Sequence, residues 1–132
     1  MSDGEDKRLE AARRFYARLV ASGAGRGELA DRIEDAFAFV PREHFLGPGP
    51  WSVPRFAPRG PDYVTTPNAD PILVYQNVLI ALDKEKGINN GEPWLHGEMI
   101  AALDPDRGDT VLHIGCGPGY YTAILAQLVG PA

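Results

Sequence analysis

The sequence predicts an α/β chain in which a helical and irregular N-terminal segment leads into one strand–loop–helix unit. Three observations carry that expectation. Two early segments repeat apolar residues at helical spacing, a proline-rich stretch interrupts the middle, and residues 110–129 pass from an apolar run through glycines into a helical pattern.

The first helix is expected from Lys7 to Ala21. Leu9, Ala12, Phe15 or Tyr16, Leu19 and Val20 recur three and four residues apart, Arg8, Arg13, Arg14 and Arg18 fall largely elsewhere on the wheel, and Ser22-Gly23-Ala24-Gly25 ends the run. Residues 1–6 are polar and read as frayed. A second helix runs from Glu28 to Phe39, with Leu29, Ile33, Ala36, Phe37 and Val40 on one side. Pro41 stops it, because proline has no N–H and disfavours helix in the residue before it.

Residues 47–61 contain five prolines, and an irregular but ordered wrap anchored by Trp51 and Phe56 is expected. No repeated motif marks the stretch as a proline-rich recognition ligand. Val74 to Leu82 reads as one or two short strands, and Asn89-Asn90-Gly91 as a turn. Pro93 opens a helix to Leu103 whose buried side is expected to hold Leu95, Met99, Ala102 and Leu103. A polar loop over 104–109 precedes a buried strand from Thr110 to Ile114, and a helix from Tyr121 to Val129 turns Ile124, Leu125, Leu128 and Val129 to the sheet.

Composition narrows the function classes. Thirteen Lys and Arg against eighteen Asp and Glu leave a formal net charge of −5, which argues against a nucleic-acid groove. One cysteine provides no internal disulfide framework. The acidic, charged N-terminus does not read as a signal peptide and no apolar run is long enough to span a bilayer, so a soluble cytoplasmic protein is the expectation. His44, His96 and His113 match no zinc spacing, and no metal is expected.

The most informative run is Val111 to Ala123, which places Gly115, Gly117 and Gly119 between a strand and a helix. Such glycines allow positive φ and let a ligand approach the backbone, while the following helix points its N-terminus at the turn. A dinucleotide fingerprint would need its third glycine at position 120, which is Tyr120. The Gly-Lys-Ser/Thr ending of a phosphate-binding loop is also absent. What remains resembles the first motif of Rossmann-like methyltransferases, where the loop wraps the methionine end of S-adenosylmethionine. That resemblance implies cofactor contacts from His113, Gly115, Cys116, Gly117, Gly119 and Tyr120. A ligand-free strand–helix connection is the alternative.

Three further stretches resemble the protein-L-isoaspartate O-methyltransferase family. Residues Phe39 to Leu46 are similar to its Val-Pro-Arg-(Glu/any)-any-Phe-Val signature, and Val74-Tyr75-Gln76-Asn77 to its Ala-Tyr-any-Asp segment. Gly87 to Pro93 stands in the place of its Gly-Gln-Thr-Ile-Ser-any-Pro motif. The resemblance implies methyl transfer from S-adenosylmethionine to a carboxylate on a peptide, protein or small molecule. Two departures follow. The family's acid stands where this chain has His113, and its Thr and Ser hydroxyls correspond to Asn89 and Gly91. Asn89 and Asn90 have amide N–H groups to offer a substrate instead, and a plain positive-φ turn is the competing reading of Asn89, Asn90 and Gly91.

Other residues read more simply. Cys116 has no evident base beside it and suits the turn as a small residue. His96, one turn into the helix after the Asn-Gly turn, reads more simply as a surface or satisfied core histidine than as a residue facing the cofactor cleft, Glu92 and Glu98 as solvated helix carboxylates, and Arg42 with Glu43 as an ion pair or cap group. No catalytic residue is assigned.

The expected organisation is a substrate-side segment over 1–92 and the beginning of a Rossmann-like S-adenosylmethionine domain over 93–132. A complete fold of that kind has about six strands, so the chain is expected to hold only its front part. The alternative to an enzyme portion is a non-catalytic binding or oligomerisation module, including a homo-oligomer that completes a sheet between copies.

Overall fold

The computed structural model describes residues 3–55 and 62–131. Four helices are present among them: α1 (Asp3–Ala21), α2 (Glu28–Phe39), α3 (Pro93–Leu103) and α4 (Tyr120–Val129). Two small antiparallel sheets lie between α2 and α3 in sequence. The first pairs β1 (Ser52–Arg55) with β2 (Asp62–Thr65), and the second pairs β3 (Ala81–Asp83) with β4 (Ile88–Asn89).

The bounds of α2 are those expected from Pro41 and those of α3 those expected from Pro93, while α1 starts earlier, at Asp3. Acidic residues Asp3, Glu5 and Asp6 occupy the first turn of α1, where the helix dipole favours negative charge. From α1, Tyr16, Ala17, Val20 and Ala21 are buried, and from α2, Ala30, Ile33, Ala36 and Phe37. Phe15 and Leu19 point outward instead, so Tyr16 alone takes the inner position that the pattern left open between Phe15 and Tyr16.

The core also takes in Val74, Tyr75, Ile80, Ile100, Tyr120, Tyr121, Ile124, Leu125 and Leu128. Aromatic rings join its parts. Phe37 meets Tyr16 at 6.2 Å, Tyr120 at 6.1 Å and Tyr121 at 6.4 Å between centroids. Tyr16 and Tyr120 bring their hydroxyls within 3.1 Å of each other inside this cluster. Burial pushes both phenols above their ordinary range, so both stay neutral and share the hydrogen bond.

Arg42 is the largest fully buried side chain among the described residues. Its guanidinium donates to the carbonyls of Val74 (2.5 Å), Gln76 (2.7 Å) and Val78 (2.7 Å). The expected pairing with Glu43 does not form. Glu43 instead accepts from Arg13 at 3.3 Å and from the Tyr75 hydroxyl. Arg42 thereby fixes a run of backbone from 74 to 78 that has no sheet partner for those carbonyls.

Several expectations are corrected. Residues 47–55 are not wholly irregular: β1 forms within them, Trp51 is buried and donates its indole N–H to the Gly47 carbonyl at 3.1 Å, and Phe56 lies outside the described residues. Pro54 is tolerated because its sheet has only two strands, each an edge. Of the one or two short strands expected over 74–82, only the start of β3 at Ala81 is present, and the segment opens on the end of a 3-10 turn over Pro71–Val74. Thr110 to Ile114 is not a strand, because no strand among the described residues pairs with it, and a lone extended segment has no ladder to join. Leu112 and Ile114 are each 83% exposed. On α3 the buried positions are Pro93, Gly97 and Ile100, whereas Leu95, Met99, Ala102 and Leu103 are exposed. The helix is apolar nearly all round, so spacing alone did not single out its inner face. Finally, Ile124, Leu125 and Leu128 of α4 face the helical core, with Val129 half-buried, and not a sheet.

Candidate functional site

Two segments carry the expected site residues: the 89–91 stretch that leads into α3, and the 113–120 stretch that leads into α4. The chain reversal before the first is at 84–87, not at 89–91. Asn89 and Gly91 are still joined locally, with Asn89 Oδ1 accepting from the Gly91 N–H at 2.9 Å and Gly91 at φ +80°. Asn90 is buried. Its backbone N–H donates to the Ile80 carbonyl at 3.0 Å and its Oδ1 accepts from the Ile80 N–H at 2.9 Å, leaving Nδ2 enclosed without a hydrogen bond. Asn90 is therefore turned to the core, and Asn89 and Gly91 form the outer part of the segment.

The entry to α3 is capped from a distance. Asn77 accepts from the Trp94 N–H at 2.8 Å and donates to Glu92 at 2.7 Å. Neither Glu92 nor its neighbours caps the helix by a side chain of its own. Asn77 thus does the work of an N-cap residue from the 74–77 motif and ties that motif to the 89–91 segment.

Around the second segment, Gly115, Gly117 and Gly119 have φ of +72°, +52° and +92°. A Cβ placed on any of them would meet no atom within 4 Å. The glycines are thus required by the backbone path and not by crowding from the protein, and the loop's outer side is open for a ligand to lie against. The Gly119 N–H donates to the Cys116 carbonyl at 3.0 Å, which closes the turn. Cys116 is exposed, with only a 3.7 Å contact from Sγ to the Gly117 carbonyl. His113 Nδ1 is hydrogen-bonded to Thr122 Oγ1 at 2.8 Å, which pins the residue before the loop to the first turn of α4.

The far end of the same region is clamped as well. Arg32 of α2 donates to the carbonyls of Pro105 (3.0 Å) and Leu128 (2.8 Å), and the Gly108 N–H donates to the Val129 carbonyl at 2.7 Å. Tyr120 and Tyr121 hold the start of α4 in the aromatic core. The glycine loop is therefore an exposed turn on a fixed base.

The contacts of His96 are not legible in the sequence, which favours a surface or satisfied core position for it over one facing the cleft. Its ring lies against Tyr121 with centroids 3.7 Å apart, its Nδ1 is 2.8 Å from the Glu92 carbonyl, and Tyr121 donates its hydroxyl to the Gly91 carbonyl at 2.9 Å. Burial holds the imidazole below its ordinary range, with the Glu92 carbonyl opposing that shift and His113 adding to it. His96 thus joins the 89–91 segment to α4. Only a hint of this lay in the sequence, in the position of His96 one turn after Gly91. Surface cavities of about 300, 220 and 750 Å³ lie elsewhere, and none of the expected site residues lines them.

Sequence comparison adds to this geometry. The sequence model of protein-L-isoaspartate(D-aspartate) O-methyltransferase matches residues 58–132, more than half of the chain. This chain belongs to the protein-L-isoaspartate O-methyltransferase family. Among curated relatives, the protein-L-isoaspartate O-methyltransferase of Aeropyrum pernix is 32% identical over 96% of this chain and 39% of its own length. That of Pelotomaculum thermopropionicum is 27% identical over 96% of this chain and 44% of its own length. That of Dictyoglomus turgidum is 37% identical over 52% of this chain and 30% of its own length. The chain thus spans about two fifths of the length of the first two relatives. No solved structure gives a significant match. No helix among the described residues is long and apolar enough to cross a membrane, and they contain no cluster of three or more metal-ligating side chains.

Proposed function

We propose that this chain forms the donor-binding front of an S-adenosylmethionine-dependent methyltransferase whose acceptor is a carboxylate, in an isoaspartyl peptide or another molecule. The observation that carries the reading is the open, positive-φ loop at Gly115, Gly117 and Gly119, set on a clamped base and joined through Tyr121 to the 89–91 segment.

The residues fit the cofactor in one respect and depart from it in another. Bare backbone at 115–119 suits a ligand without phosphates that must lie close to the chain. His113, held by Thr122, adds no negative charge toward an ammonium group, and the Tyr120 side chain is buried in the core instead of facing the loop's outer side as expected, so donor affinity rests on the loop backbone. When bound, S-adenosylmethionine supplies an electrophilic methyl group. The chain's own part is positional: α4 fixes the loop, Tyr121 and His96 fix the 89–91 segment beside it, and the relative placement of donor and acceptor follows. An ionised carboxylate needs no strong base to accept a methyl group.

The test is transfer of labelled methyl groups to an isoaspartyl peptide and to the same peptide with ordinary aspartate. Label released by mild base and confined to the isoaspartyl peptide supports the reading, and a base-stable product contradicts the carboxylate acceptor. A second reading, a self-associating module without catalysis, draws on the exposed Leu95, Met99, Leu103, Leu112 and Ile114. An obligate dimer that dissociates on Met99→Glu and shows no donor binding would favour it.

A further inference from the structure

Residue 91 has no side chain, and the space its Cβ would take is filled from α3. A Cβ built there would lie 2.4 Å from His96 Cε1 and 3.0 Å from Nε2. The ring edge carrying Cε1 and Nε2 therefore stands beside the 89–91 segment where a side chain of residue 91 would begin. Its orientation is fixed twice, by the stack on Tyr121, whose planes differ by 11°, and by the Glu92 carbonyl at 2.8 Å from Nδ1. A carbonyl only accepts, so Nδ1 carries the proton and Nε2 is the nitrogen left over. Among the described residues Nε2 makes no hydrogen bond, and it is not an enclosed orphan like Asn90 Nδ2.

We infer that His96 is the specificity-determining residue of the acceptor side: its Nε2, in place of a side chain at residue 91, meets the acceptor's carboxylate and binds it together with a proton. The inference rests on the proposed carboxylate acceptor. A carboxylate offers only lone pairs, so a neutral Nε2 does not match it and an imidazolium Nε2–H does, through a charge-assisted hydrogen bond. Three groups face the ring. Glu92 at the start of its own helix favours the cation, His113 at the glycine loop opposes it, and the Tyr121 phenol is committed to the Gly91 carbonyl. Partial burial keeps the free imidazole neutral near pH 7, so one proton enters from solvent as the acceptor binds.

The test follows the His96 Cε1–H signal by NMR across pH in the 132-residue chain. Spectra are taken alone, with an isoaspartyl peptide, and with the same peptide esterified at that carboxyl. The free peptide is expected to raise the His96 titration midpoint by about one pH unit or more, as an opposite charge in contact does, and the ester to leave it unmoved. Peptide affinity is expected to weaken by up to about tenfold per pH unit between the free and the raised midpoint and to level off above the raised one. His96→Leu should abolish this dependence. His96→Gln keeps a planar N–H donor against Tyr121 and should bind the peptide independently of pH, which separates loss of the group from loss of the fold. No change in the His96 midpoint at millimolar peptide, or unaltered pH-dependent binding by His96→Leu, overturns the inference. Retained His96 response in a chain that fails to bind S-adenosylhomocysteine would overturn the donor reading and leave the inference standing.

Discussion

The imidazole of His96 lies flat on the phenol ring of Tyr121, with 3.7 Å between centroids, while the Tyr121 hydroxyl reaches 2.9 Å to the Gly91 carbonyl. One side chain from the first turn of α4 thus holds both the ring and the backbone of the segment before α3. The glycine loop and the 89–91 segment are consequently one mechanical unit, and a change in either should be felt by the other.

Gly91→Ala should destabilise the chain on two counts. It puts a Cβ at φ +80° and brings it 2.4 Å from His96 Cε1. Together these should cost about 2–4 kcal/mol in urea unfolding, from overpacking and backbone strain. In a His96→Ala background the crowding part should vanish, so the two substitutions should be clearly non-additive.

Tyr121→Phe keeps the stack and removes only the bond to Gly91. A loss of about 0.5–1.5 kcal/mol in thermal or urea unfolding is expected. Tyr121→Ala also empties a core position and should cost about 3–5 kcal/mol.

Arg42→Met should be among the most damaging single changes. It leaves the carbonyls of Val74, Gln76 and Val78 without a donor in a buried site, at a cost of about 3 kcal/mol or more. Arg42→Lys should recover only part of this, since a single ammonium does not reproduce the fork that meets three carbonyls. Differential scanning calorimetry of the two variants checks both the size and the order.

The pH dependence of stability should carry the His96 signature. Its folded imidazole titrates below the ordinary range because it is partly buried, so between the two values the unfolded chain binds more protons. The contribution is complete above the unfolded imidazole value of about 6.5 and is lost as pH falls through the folded value. His96→Gln should flatten the pH dependence of unfolding free energy across that window, leaving at pH 8 only the pH-independent loss of the stack on Tyr121.

Local chemistry made much of this structure legible. Pro41 and Pro93 set helix bounds, and the glycine run at 115–119 adopts the positive φ angles that its composition called for. What stayed hidden depends on partners distant in sequence. Thr110 to Ile114 has strand composition, but a strand exists only with a neighbour, and none among the described residues pairs with it. The inner face of α3 was obscured because apolar residues surround the helix, and the packing surfaces of α1 and α2 decide which of them is covered. Asn77 capping α3 and His96 resting on Tyr121 join residues 17 and 25 positions apart, beyond any spacing rule. Family resemblance singled out the two candidate segments, and the structure contributes the link between them.

The most direct test of the central claim is calorimetric titration of the 132-residue chain with S-adenosylhomocysteine, for wild type and Gly117→Val. A branched residue at φ +52° should distort the loop, while its Cβ meets no atom within 4 Å beyond its chain neighbours. Saturable binding by wild type, lost in a Gly117→Val variant that keeps its unfolding temperature within a few degrees, is the predicted result. No binding by the folded wild-type chain, or equal binding by both proteins, would contradict the assignment of the loop.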